Sequence, residues 1–177
     1  MLFKIEDVIS LPQFQNMLPD EIGRKLDALE VLIRKYTNNN FQMRDIRFTA
    51  SSEGRVLNGI HPFIRVGDTI QISESYVNDG LYVVDEIDQE SGTVTVNKDL
   101  FPVDHNLVTK IEYPVDVMQG ALKLMQWDIE SAGRIGVKSE TLSRHSITYF
   151  DQDKTNQVMG YPVSLLGFLD IYMKARF

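Results

Sequence analysis

The sequence predicts an α+β fold: a helical bundle core into which a small antiparallel β-barrel or sandwich is inserted. Three observations predict it. Ile22, Leu26, Leu29, Ile33 and Tyr36 recur at spacings of four, three, four and three, one apolar stripe of an amphipathic helix. Val115, Met118, Leu122, Met125 and Ile129 form a second stripe of the same period. Between them the period falls to two, in Ile46 to Ala50, Thr69 to Ser73, Thr93 to Val96 and Leu107 to Tyr113, with the apolar run Leu81 to Val84 suited to a buried strand.

The punctuation agrees. Pro19-Asp20-Glu21 suits a helix start, because proline has no N–H to leave unpaired and carboxylates favour the positive end of the helix dipole. Asn38-Asn39-Asn40 suits its end, since asparagine tolerates left-handed backbone. A shorter helix from Ile5 is stopped by Pro12. Asn58-Gly59, Gly67-Asp68, Asp79-Gly80 and Ser91-Gly92 supply tight turns. Gly133 and Gly136 stop the second long helix. The domain boundaries expected are therefore 1–45 plus 114–177 for a discontinuous helical domain and 46–113 for the inserted β domain.

Composition narrows the function classes. The 177 residues contain no cysteine, which excludes disulfides and thiolate metal sites. No apolar run approaches a membrane span of roughly 18 to 20 residues, and no basic, apolar, small-residue export signal is visible, so no membrane partner is expected. The formal charge of −7 is uneven: residues 46–113 hold 5 basic and 11 acidic side chains, against 6 and 7 in 1–45 and 7 and 7 in 114–177. A sequence-independent DNA binder needs clustered Lys and Arg to displace counterions. The acidic surface is either simply solvated or repels passing DNA.

No catalytic, cofactor-binding or metal site is expected. His61, His105 and His145 show no paired ligand spacing. Asp151 to Asn156 lacks the Gly and the bidentate Glu of a calcium loop, with Asn156 and Pro162 at those places. Asp85 and Glu86 face opposite sides of a strand, and Asp88 to Gly92 suit a solvated hairpin tip. Ser139, Ser143 and Ser146 lack a nucleophile elbow. Phe48, Phe63, Tyr76 and Tyr82 could stack bases, but at period-two positions among acidic residues they are expected in the core.

The last forty residues hold the most specific pattern: Val137-Lys138-Ser139-Glu140-Thr141-Leu142-Ser143, then Ser146-Ile147-Thr148-Tyr149-Phe150, a polar spacer, Gly160-Tyr161-Pro162 and an apolar ending. This order is similar to the C-terminal signature of the tailed-phage head-to-tail connector (adaptor) family. The resemblance covers roughly 19–45 and 114–177 and is most specific from Lys138 onward. It implies a helical adaptor core, a structural virion protein of a phage or prophage, and a location at the head-tail junction after assembly in the host cytoplasm. The implied partners are the portal protein, a neighbouring connector or tail-completion protein, and copies of the chain itself in a ring, by resemblance dodecameric, through which genomic DNA passes without specific binding.

Carried over by motif, Ser139 and Glu140 mark the turn after the long helix, and Ser146 to Tyr149 the following strand. Gly160 and Pro162 lead into a terminal arm in which Leu165, Leu169 and Tyr172 anchor on the portal, with Lys174 and Arg176 beside them. Arg144-His145 stands where a Gly-Asp-like turn often precedes the strand, and the β module is extra to the minimal adaptor. Its Gly67-Asp68-Thr69-Ile70 and Asn78-Asp79-Gly80-Leu81-Tyr82 resemble small β modules of other phage structural proteins.

Physics alone leaves two readings of the apolar ending, a partner surface or a helix completing its own core. A ring requires different faces to meet head to tail. The alternative to a connector is a β-barrel module binding glycan or nucleic acid on a helical oligomerisation scaffold, which a basic or aromatic groove on the β module would favour.

Overall fold

The structure is a computed structural model describing residues 2–131, 139–142, 145–148 and 157–175. The chain divides into two compact units, one of residues 40–113 and one of residues 2–39 with 114–177.

In the β unit, β1 (Gln42–Asn58), β2 (Thr69–Ser73), β3 (Gly80–Asp88) and β4 (Thr93–Ile111) form one antiparallel sheet. β4 is the organising strand. Along one edge it pairs with β1, from Gln42 opposite Ile111 to Asn58 opposite Thr93. On its other edge its start pairs with β3 and its end with β2, while β2 and β3 pair with each other. The pairings of β2, β3 and β4 thus form a closed circuit around Leu57, Ile70, Ile72, Val84, Val94, Val96 and Val108, all buried. Period-two alternation delivers those side chains to one face. Four strands stand where the sequence marks five short stretches, because β4 joins the last two of them and both β1 and β4 run through polar stretches by bulging. Register shifts follow Met43, Ala50, Ser52 and Gly54, and each lets extra residues swing out without ending the ladder. β1 also opens at Gln42, ahead of the period change at Asp45, so residues 42–45 are strand and not helix.

The flanking unit contains α1 (Ile5–Ile9), a 3₁₀ turn at Pro12–Phe14, α2 (Pro19–Thr37) and α3 (Val115–Ser131). These are followed by the two-stranded pairs β5 (Ser139–Leu142) with β6 (His145–Thr148) and β7 (Gln157–Val158) with β8 (Tyr161–Pro162). α4 (Val163–Leu166) and a 3₁₀ segment at Gly167–Tyr172 close the described chain. Pro19 occupies the first turn of α2, and Asn38 ends it in the left-handed conformation at φ 49°, its N–H reaching the carbonyls of Arg34 and Lys35. The buried side of α2 is Ile22, Leu26, Leu29 and Ile33, with Tyr36 half-buried.

The helical bundle core expected from the sequence is not found. The described chain is α+β but dominated by sheet, and only α2 and α3 among its four α-helices exceed five residues. The apolar ending, which would have supplied further helix, is a single α-turn continued as 3₁₀. The second stripe is also displaced. α3 buries Val117, Gly120, Ala121, Leu124 and Met125, whereas Val115 is exposed and Met118, Leu122 and Ile129 are half-buried. Hydrophobic spacing cannot register small residues as a contact face, and Gly120 is where that face closely approaches Phe168, with Ala121 buried beside it.

Candidate functional site

The C-terminal segment is fastened to its own unit at several points. Met159 and Gly160, at φ 53° and 87°, make the tight turn between β7 and β8, the backbone pairing that two-residue hairpins need. Tyr161 packs on Trp127, with ring centroids 5.5 Å apart, and its hydroxyl donates to Asp128 Oδ2 at 2.7 Å. Burial raises the Tyr161 hydroxyl pKa well above the ordinary value of 10.0, and the Asp128 carboxylate adds to the shift. Pro162 is buried at the start of α4, and Leu166 and Leu169 are fully buried.

Further along, the Tyr172 hydroxyl donates to both carboxylate oxygens of Asp116, at 2.8 and 2.9 Å. The end of α2 grips the same stretch by its polar atoms. Lys174 N–H donates to the Thr37 carbonyl at 2.8 Å, Asn38 Nδ2 to the Ala175 carbonyl at 2.8 Å, and Asn39 Nδ2 to the Tyr172 carbonyl at 3.2 Å. The asparagines that end α2 therefore also satisfy carbonyls of a segment 133 residues away along the chain.

The proposed arm residues fall into distinct groups. Leu169 is at 0% exposure and Leu165 and Tyr172 are half-buried, Leu165 in the single turn of α4 and the other two on the 3₁₀ segment rather than on one face of a regular helix. As side chains of the unit's own packing, they are not arranged as free anchors. What the segment shows to solvent is Val163, Ile171 and Met173, with Gly160 and Lys174 also exposed. Arg176 and Tyr149 lie outside the described residues. Ser139 and Glu140 were expected in a turn, but they sit in β5 opposite Thr148 and Ile147, while Ser146 lies in β6 opposite Thr141. The Asp151 to Asn156 loop lies outside the described residues.

The β unit holds a second arrangement that the sequence did not disclose. Asn78, at 2% exposure, is its hub. Its Nδ2 donates to Ser52 Oγ at 3.1 Å, the Phe101 carbonyl at 2.9 Å and Asn106 Oδ1 at 3.2 Å, and its Oδ1 accepts from Phe101 N–H at 2.8 Å. Asn106 Nδ2 donates to the Ala50 carbonyl at 3.0 Å, and the Tyr82 hydroxyl donates to the Asn78 carbonyl at 2.9 Å. Asp79 Oδ1 gathers Ser75 N–H, Ser75 Oγ and Tyr76 N–H at 2.9 to 3.2 Å. Polar groups of this kind are stable inside a protein only when mutually bonded. The network locks the loop 74–79 against the bulged stretch of β4 around Phe101. It also holds Glu74 and Tyr76 at φ 62° and 67°, conformations that side chains other than glycine rarely adopt.

Two of the four aromatics expected in the core behave so: Phe48 and Tyr82 pack against the cluster. Phe63 and Tyr76 do not. They are exposed, in loops before and after β2, so the four cannot form one stacking platform. Asp85 pairs with Arg55, and Asp88 Oδ1 accepts the Glu90 and Ser91 N–H groups at the hairpin tip. The Ser91 hydroxyl first, and then those backbone bonds, hold the Asp88 carboxyl below its ordinary pKa. No cluster of three potential metal ligands occurs among the described residues, and none of the described helices is long and apolar enough to cross a membrane.

No protein-family model matches the chain, and no curated protein matches it.

Proposed function

We propose that the chain is a non-enzymatic head-to-tail connector of a tailed phage or prophage. It joins other copies in a ring below the portal and links the DNA-filled capsid to a neighbouring connector or tail-completion protein. The reading rests on the order of motifs from Lys138 to the apolar ending. The single structural observation that supports it is the C-terminal segment: its backbone is held by the end of α2 and its Tyr172 side chain by α3, yet it turns Val163, Ile171 and Met173 to solvent beside Lys174. Exposed apolar side chains on a fixed backbone suit a partner surface, because little conformational entropy remains to be lost on docking. The portal contact is thereby moved from Leu169 to these exposed neighbours.

The acidic β unit, with 6 basic and 12 acidic residues in 40–113, supports passage of DNA without binding and gives no support to a nucleic-acid groove. The test is electron microscopy and mass measurement of the purified chain with and without portal protein. Rings or portal-bound particles are expected. A chain that stays monomeric and fails to join the portal would remove the reading.

A further inference from the structure

Within the β unit the most exposed aromatic also has a left-handed backbone. Tyr76 is 95% exposed at φ 67°, and Val77 beside it is 54% exposed. Phe101, 66% exposed, is fixed through both its backbone N–H and its carbonyl to Asn78, a residue of the same loop as Tyr76. A folding unit gains nothing from holding a tyrosine in a left-handed conformation with its ring in water. Residues kept in sparsely populated backbone regions are strained and persist where the surroundings over-determine them. Here the hydrogen bonds of Asp79 and Asn78 do so. The result is a set of exposed apolar side chains whose backbone is fixed by one network, an arrangement of the kind that forms binding hot spots.

The surroundings say what such a tip would fit. Glu74, Asp79, Asp99 and Asp104 are exposed within residues 74–79 and 98–104, against a single cation there, Lys98. That field repels nucleic acid, anionic lipid and the identical tip of another copy. The flanking unit, with 12 basic and 13 acidic residues, offers no strongly cationic counterpart, so a second copy is disfavoured. Glycan is disfavoured too, since Asn78, Asn106 and Ser52 already use their polar atoms within the network.

We infer that the Tyr76–Val77–Phe101 tip is the docking point for a different protein, one presenting an apolar pocket rimmed by Lys and Arg. Resting on the connector reading, this partner is the component on the tail side, and the portal is met elsewhere. The aromatic rings supply the buried anchor; the acidic rim steers the encounter and sets register.

The experiment measures binding of the full chain to two purified probes, the portal protein and the tail-side connector of the same assembly. The tail-side probe is expected to bind with an affinity that falls as salt rises. Tyr76→Ala is expected to weaken it at least tenfold, Phe101→Ala several-fold, and Tyr76→Phe little, with portal binding unchanged in all three. Melting curves of each variant check that the β unit stays folded. Equal tail-side affinity for wild type, Tyr76→Ala and Phe101→Ala would overturn the inference. So would a tail-side probe that does not bind although the portal does, an outcome that leaves the connector reading standing. If neither probe binds wild type, the connector reading falls and takes this partner with it.

Discussion

Gly120 on α3 seats the ring of Phe168 against bare backbone: a Cβ at position 120 would overlap three atoms of that ring. The closeness ties the 3₁₀ segment to α3 at the same level at which Ala121 and Leu124 are buried. Together with the hydroxyl of Tyr172 on Asp116, it makes the C-terminal segment a wall of the flanking unit.

Gly120→Ala is therefore expected to destabilise the protein. Alanine gains about 1 kcal/mol over glycine in helix propensity, but overpacking costs about 1–3 kcal/mol when neighbours must shift. The net loss should be about 1 kcal/mol, read as a lower midpoint in urea followed by Trp127 fluorescence. In a Phe168→Leu background the same substitution should cost less, because the clashing ring is gone. Equal losses in both backgrounds would show that the ring is not the obstacle.

Burial of Leu169 changes what truncation should do. Removal of everything after Asn156 would leave the body intact if the ending were a free arm. With Tyr161, Leu166 and Leu169 in the unit's own packing, truncation should instead abolish its cooperative unfolding. Leu169→Ala should cost about 2–5 kcal/mol, whereas Ile171→Ala, at a site 78% exposed, should stay within about 0.5 kcal/mol. If Leu169→Ala melts like wild type, the segment is not part of the core.

What was legible in the sequence follows from what periodicity encodes. The stripe of α2 was readable because large aliphatic residues recur with the helical turn, and its end because asparagine favours left-handed backbone. The face of α3 was misplaced because Gly120, which carries its close contact with Phe168, gives no hydrophobic signal, and the buried Ala121 beside it gives little. β4 was read as two strands, at 93–96 and 107–113, and β1 only over 46–50, because bulges interrupt alternation while the ladder continues. The Asn78 network was invisible, since Asn78-Asp79-Gly80 also reads as an ordinary turn; nothing local says that Ser52, Phe101 and Asn106 will converge on it. Tyr76 was expected in the core on pattern alone, although its neighbour Asp79, a side chain suited to capping backbone N–H groups, hinted at a structured loop.

Tyr161 gives the flanking unit a dependence on alkaline pH. Its folded-state pKa is raised, first by burial and then by the hydrogen bond to Asp128. The folded protein thus holds the phenolic proton more tightly than the unfolded chain. This contribution is fully present below the ordinary tyrosine value of 10.0 and is lost as pH rises through the folded pKa. Tyr161→Phe should lower stability by about 1 kcal/mol at neutral pH through the lost bond to a carboxylate. It should also flatten the decline above pH 10 relative to wild type. Parallel decline in the two proteins would assign the alkaline limb to other tyrosines.

Asn78 offers the sharpest test of the β unit, because it donates and accepts at once in a site closed to water. Asn78→Ala should cost about 2–4 kcal/mol, since Phe101 N–H and several acceptors lose their buried partner. Asn78→Asp keeps the shape but replaces the Nδ2 donor by an oxygen facing the Phe101 carbonyl and Asn106 Oδ1. As a carboxylate it should be at least as damaging at neutral pH, and it should recover on acidification as protonation restores a donor. The chain's single tryptophan, Trp127, lies in the flanking unit, so the measurement is far-ultraviolet circular dichroism or amide hydrogen exchange in the strands. Both variants should lower protection in β1 and β4 around Ser52 and Phe101 and loosen the 74–79 loop, while Trp127 fluorescence still reports a folded flanking unit. Unchanged exchange at Phe101 N–H in Asn78→Ala would show that the bulge holds its shape without the asparagine, and that the exposed tip does not owe its rigidity to this network.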